Sequence, residues 1–212
     1  MALLTCTGRA LLCTAGLLLA LPMLGAEAAA VATIEYDVKA MFLFNFTRFV
    51  EWPAEGAPSV PFVIAVLGRD PFGARLDQAI EGEEVHGRRI VVRRIARVED
   101  ALPCDALFIA RSEEAGVPRV LEALAGRPVL TVSDIPGFAE RGGMVELMTE
   151  SGKVRLRINV AEAREARLAL SAKLLRPAKI VTTRKSSLNV LRPGTRLFTW
   201  GGARGSPPAL ES

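Results

Sequence analysis

Few residues in this chain have both the type and the spacing to do chemistry. Gly68-Arg69-Asp70-Pro71-Phe72-Gly73 follows an apolar run with the G-x-x-x-x-G spacing of a phosphate loop, but Ala74 and Arg75 stand where Lys and Ser/Thr are needed. Without that ammonium and hydroxyl nothing holds a terminal phosphate or its magnesium, so the segment reads as a tight turn into a helix. His86 is the single histidine, and its neighbours Glu83 and Glu84 sit in a charged loop. One histidine cannot build a His-based metal site unaided, and no metal is expected. Ser133 and Asp134 follow an apolar run, where α/β proteins often carry functional groups, but no nucleophile elbow surrounds Ser133. The carboxylate pairs Glu83/Glu84 and Glu113/Glu114 read as solvated charge runs. No catalytic constellation emerges, no cofactor is implied, and a binding or regulatory role is favoured over an enzyme.

The cysteines and the N-terminus point to export. Arg9 precedes an apolar stretch over residues 10–24, and Gly25-Ala26-Glu27-Ala28-Ala29-Ala30 supplies small residues in an A-x-A pattern. This is the anatomy of a secretory signal peptide over residues 1–30, cleaved after Ala28 or Ala30. The stretch is too short for a comfortable membrane span, and Pro22 and Gly25 break it. The mature chain is expected to be periplasmic and not membrane-embedded. Cys6 and Cys13 leave with the signal, so Cys104 has no partner for an internal disulfide. It reads as a small buried hydrophobe, the alternative being a reactive or intermolecular thiol.

Lys and Arg number 27 against 23 Asp and Glu, a net charge of +4. Residues 31–181 hold equal numbers of each sign, and the excess lies in residues 182–212, with Arg184, Lys185, Arg192, Arg196 and Arg204 against Glu211. This Gly-, Pro-, Ser- and Thr-rich tail reads as disordered and solvated, with Leu197-Phe198-Thr199-Trp200 as a segment that could dock. An exported protein meets little nucleic acid, and none is expected as a partner. Half of the chain is hydrophobic, and a mature length of about 180 residues suffices for one domain with its own core.

The elements follow from periodicity. Residues 36–50 contain no Gly or Pro, and a helical projection places Val38, Met41, Phe42, Phe46, Phe49 and Val50 on one broad face. A nearly all-round buried helix is expected, ended by Pro53, with Phe42→Ala or Phe49→Ala each costing about 3–5 kcal/mol. Asn45 falls within the apolar face, tying down loop backbone or touching a ligand or partner. "PFVIAVL", "RIVVRRI" and "DALFIA" read as strands, as does 129–132, with helices over 72–80 and 117–125 between them. Residues 144–149 and 153–158 read as a hairpin at an antiparallel edge, joined by Glu150-Ser151-Gly152. Asn159-Val160-Ala161-Glu162 opens a helix running to about Leu175 with capping-box spacing. The expected fold class is α/β: a single-domain sandwich with a mostly parallel sheet, helices on both faces and a late antiparallel hairpin.

"KAMFLFNFTRFVEWP", "VLGRDPFG", "CDALFIARSE", "LTVSDIPGFAERGG" and "KVRLRINVAEAREARLALSAKLLRPAKIV", in this order and spacing, resemble the YfiR-like family of periplasmic proteins. The resemblance spans residues 36–181. It implies a non-catalytic homodimeric regulator that binds the periplasmic domain of an inner-membrane signalling protein. It further implies repression of a diguanylate cyclase, and with it of cyclic-di-GMP signalling and biofilm formation. The alternative is a periplasmic small-molecule sensor acting on a sensor kinase or receptor. Some relatives respond to redox state through disulfides, but Val145, Glu146 and Leu147 stand here where some of them carry a cysteine.

Partner- or ligand-binding candidates are Ser133, Asp134 and Phe138 after a strand, Met144 exposed on an edge strand, and Arg155 and Arg157 on one face of the last strand. The bland alternative for the two arginines is ion pairing with surface carboxylates.

Overall fold

Alternation within each apolar run decides how the sheet is covered. The computed structural model describes the backbone of residues 21–53 and 60–183, and side chains from Ile34 on. The signal segment up to residue 20 and the tail from residue 184, including Leu197-Phe198-Thr199-Trp200, lie outside the described residues. In chain order the elements are α1 (Leu21–Phe49), β1 (Val50–Glu51), β2 (Phe62–Leu67), α2 (Ala74–Ile80), β3 (Glu84–Val85), β4 (Arg88–Ile95), β5 (Ala106–Ile109), α3 (Val117–Ala123), β6 (Leu130–Ser133), β7 (Val145–Glu150), β8 (Lys153–Asn159), α4 (Val160–Glu165), β9 (Ala169–Leu170), α5 (Ala172–Leu175) and β10 (Lys179–Val181).

Eight strands form one sheet in the order β10-β8-β7-β6-β5-β2-β4-β3. The pairs β2/β4, β2/β5, β5/β6, β6/β7 and β8/β10 are parallel, and β7/β8 and β3/β4 are antiparallel. Phe62, Ile64, Val66, Ala106 and Phe108 point to one face and pack with α1, α2, α4 and α5. Ala65, Leu67, Leu107 and Ile109 point to the other and pack with Val117, Val120 and Leu124 of the α3 region. This is the expected α/β sandwich with helices on both faces.

The helix α1 is the main cover of the first face, and its buried stripe is rotated from the one expected. Ala40, Leu43, Phe44, Phe46, Thr47 and Val50 are buried, whereas Val38 and Met41 are 39% and 47% exposed. Phe42 and Phe49 pack against the core only partly buried. Phe46 is therefore the anchor, since full burial of an aromatic side chain contributes about 1.5–3 kcal/mol. Asn45 lies half-buried on the side of the helix away from the stripe, between the exposed Val38 and Met41. A projection ranks faces by apolar content alone. It missed that Lys39 and Thr47 are buried with polar partners, Thr47 donating to the Phe44 carbonyl at 2.7 Å.

Two further expectations give way. The long helix to Leu175 is broken after Glu165, because Arg167 takes a left-handed φ of 62° and the chain returns as β9 to pair with β1. The hairpin is also not an edge, since β10 runs parallel to β8 outside it. Its turn is the two residues Ser151 and Gly152, both at positive φ, which matches the twist of a tight hairpin. Among the described residues no helix is long and apolar enough to cross a membrane.

Candidate functional site

The carboxyl ends of β2, β5 and β6 open toward the middle of α1, around Tyr36 and Lys39, and the loop after β6 is tied down before it presents any side chain. The Ser133 hydroxyl donates to the Ile109 carbonyl at 2.7 Å and accepts from the Ile135 N–H at 3.1 Å, which turns the chain out of the sheet. The buried Glu146 carboxylate accepts from the N–H groups of Gly137 and Ala139 at 3.1 and 3.3 Å. Asp134 is thereby fixed at the sheet's end.

Oδ2 of Asp134 accepts from Lys39 Nζ at 2.7 Å and from the Tyr36 hydroxyl at 2.9 Å, and lies 3.2 Å from Arg111 Nε. Tyr36 and Lys39 stand one turn apart on α1, and Arg111 lies two residues past the end of β5. Lys39 also pairs with Glu35 Oε1 at 2.5 Å and lies 4.6 Å from the centre of the Tyr36 ring. Burial, the Asp134 charge and its hydrogen bond push the Tyr36 hydroxyl well above its ordinary range. Burial alone would raise the Glu35 carboxyl. The Lys39 ammonium and the Thr149 hydroxyl outweigh it and hold Glu35 below its usual value.

Around this cluster lies a cavity of about 510 Å³ lined by residues including Glu35, Tyr36, Arg111, Asp134, Glu146 and Arg157. It opens where β7 and β8 continue past the end of β6. Arg157 Nη1 stands 3.7 Å from Glu146 and 3.9 Å from Glu140. Two buried polar atoms here have no hydrogen-bond partner, Asp134 Oδ1 and Arg157 Nε. A second cavity of about 440 Å³, lined by Tyr36, Arg69, Asp70, Pro71, Arg111 and Ser112, adjoins the first through Tyr36 and Arg111. Gly68 lets β2's loop approach that of β5: its φ is 88°, and a Cβ there would fall 2.5 Å from both Ser112 Oγ and Glu113 Oε1.

Of the six residues proposed from sequence, Asp134 and Arg157 meet in the first cavity. Ser133 is buried with its hydroxyl committed to backbone, and Phe138 is a core residue whose ring would occupy the space of any Cβ on Gly143. Met144 is 8% exposed and packed in the core, its N–H donating to Thr131 Oγ1 at 3.1 Å, which corrects the expected exposed contact. Arg155 is exposed on β8. Sequence reasoning missed Tyr36, Lys39, Arg111 and Glu146. Arg111 carried a usable signal, being the first charged residue beyond a buried strand's carboxyl end.

The other sequence candidates lie elsewhere. His86 occupies the turn between β3 and β4 at φ 50°, and no group of metal-ligating side chains occurs among the described residues. Cys104 is a free thiol at the opposite end of β5, and burial raises its pKa to about 12.

No curated protein matches this chain. Solved structures that resemble it include an ABC domain in complex with L-Trp from Streptococcus pneumonia, at 12% identity and a TM-score of 0.41 over 57% of this chain. Another is the ligand-free, open form of a substrate-binding protein with adhesive properties from Clostridium difficile, at 12% identity and a TM-score of 0.39 over 58% of this chain. The chain spans about half the length of each, 55% in both cases. A family profile described as YfiR/HmsC-like matches residues 36–179, which takes in α1's buried half, the whole main sheet up to the start of β10, and the three side chains that meet Asp134 Oδ2. The chain belongs to the YfiR/HmsC-like family, whose members are periplasmic, non-catalytic regulators of cyclic-di-GMP signalling.

Proposed function

We propose that this protein is exported by a cleaved signal peptide, dimerises, and represses an inner-membrane diguanylate cyclase by binding its periplasmic domain. Lower cyclic-di-GMP and less biofilm follow. The observation that carries this reading is the family match over residues 36–179. The chemistry around Asp134 is consistent with it: every acidic group there is held by cations or backbone N–H groups, and the Ser133 hydroxyl is bonded on both sides.

The contact surface we favour is the apolar strip left bare on α1. Ile34 is 63% exposed, and with Val38 and Phe42 it borders a groove of about 600 Å³ against Thr149, Gly152, Lys153 and Val154 of the hairpin. Contiguous apolar surface on an otherwise charged protein suits a protein partner. Arg155 faces the other side of β8 from Val154 and lies outside this groove. Ser133, Phe138 and Met144 act in packing, and Asp134 and Arg157 act in the cavity.

The test mixes the mature chain with the periplasmic domain of a membrane-bound diguanylate cyclase from the same cell, followed by calorimetry and light scattering. A defined complex, weakened by Val38→Asp and Met41→Asp in a folded protein, supports contact repression through this strip. Two folded proteins that form no complex overturn it.

A further inference from the structure

We propose that the paired cavities at the carboxyl end of the sheet bind a small hydroxycarboxylate. Their location follows from topology. The chain leaves β2 toward β4 on one side and leaves β5 toward β6 on the other, although β2 and β5 are neighbours. Diverging loops leave a crevice outside the carboxyl ends of such strands, where open α/β sheets take their ligands. Arg69 and Arg111 stand on the two diverging loops, and the second cavity lies between them.

The charges in the crevice are committed unequally. Asp134 Oδ2 takes three donors, Asp70 is held by Arg94 Nε at 2.7 Å and by the Phe72 N–H at 2.7 Å, Glu146 by two backbone N–H groups, and Glu35 by Lys39. The three arginines are not so engaged. Among the described residues Arg69 makes only a backbone bond, to Ser112 Oγ, and Arg111 uses Nε alone with its side chain 56% exposed. Arg157 reaches its carboxylates only at 3.7 Å and beyond. Planar forks with free donors suit a carboxylate.

The two unpartnered atoms define the rest of the ligand. Buried polar groups are nearly always hydrogen-bonded, and one left bare costs free energy. Arg157 Nε needs an acceptor, which a carboxylate oxygen supplies. Asp134 Oδ1, on a side chain only 1% exposed, needs a donor. An ammonium would bring a third cation against Lys39 and Arg111 on the same carboxylate, whereas a hydroxyl donates without that repulsion. One molecule carrying a hydroxyl beside a carboxylate satisfies both atoms.

The experiment titrates the mature chain by calorimetry with L-malate and with succinate, which has the same two carboxylates and no hydroxyl. Malate is expected to bind at millimolar concentration or below, and succinate about tenfold or more weaker. Arg111→Gln, or Arg69→Gln if the former fails to fold, weakens malate about tenfold or more, while Arg119→Gln on α3 leaves it unchanged. Equal binding of malate and succinate, indifference to both arginine substitutions, or no malate binding by folded protein overturns the proposal. These outcomes are independent of complex formation with the cyclase, so either reading can fail alone.

Discussion

Lys39 on α1 and Asp134 beyond β6, 95 residues apart, form an ion pair at 2.7 Å with side chains 0% and 1% exposed. Two charges withdrawn from water are tolerated only when each is fully compensated, and a partner left alone is costly. Lys39→Met is therefore expected to destabilise by about 3–5 kcal/mol, and Asp134→Asn by a similar amount. Denaturant melts of both single variants and the double variant check this. The double variant should be markedly less destabilised than the sum of the singles, and simple additivity would show that the pair is not coupled.

The rotated stripe of α1 reorders its aromatic residues. Phe46→Ala should cost about 3–5 kcal/mol, because the side chain is enclosed and its removal leaves a cavity. Phe42→Ala and Phe49→Ala should cost clearly less, since both rings are partly solvated. Chemical denaturation of the three variants gives the ranking directly.

Glu35 makes stability depend on acid. Its folded pKa lies below the ordinary carboxyl value of about 4.5, so the folded state favours the ionised form. The contribution is present above about pH 4.5 and is lost as pH falls from there through the lower folded value. Glu35→Gln should flatten the stability profile in that window and leave the slope near neutrality unaltered. A parallel pair of profiles below pH 4.5 would remove Glu35 as a contributor.

Cys104 should be a sluggish nucleophile. Its pKa of about 12 leaves almost no thiolate at pH 8, and the thiolate is the reacting form. Alkylation by iodoacetamide at pH 8 should be far slower in the folded protein than in the denatured chain. Equal rates would show a thiol that is open to solvent and reactive.

Strand positions and the sandwich were legible because buried parallel strands are continuous apolar runs, and "PFVIAVL" and "DALFIA" admit little else. The orientation of α1 was not, because its stripe is set by two polar residues, Lys39 and Thr47, whose partners lie far along the chain or within the backbone. Asp134 was visible from its place after a strand. The residues that complete its surroundings were not, since nothing local in sequence ties residue 36 or 39 to residue 134. The break after Glu165 was hidden for a related reason. Alanine-rich sequence favours helix, and the pairing of Leu170 with Val50 overrides it.

Asn159 joins segments that the chain keeps well apart. Its side-chain amide donates to the Ala139 carbonyl and to Thr183 Oγ1, and its oxygen accepts from the Glu162 N–H, while Thr183 in turn donates to Glu162. The edge strand, the first turn of α4 and the turn after Phe138 thus share one clasp. They should exchange their amide hydrogens as a single cooperative unit, opening together with one free energy. Tension on the chain beyond Thr183 would then be felt first at α4 and the turn above β7, while the strands at the centre of the sheet stay closed.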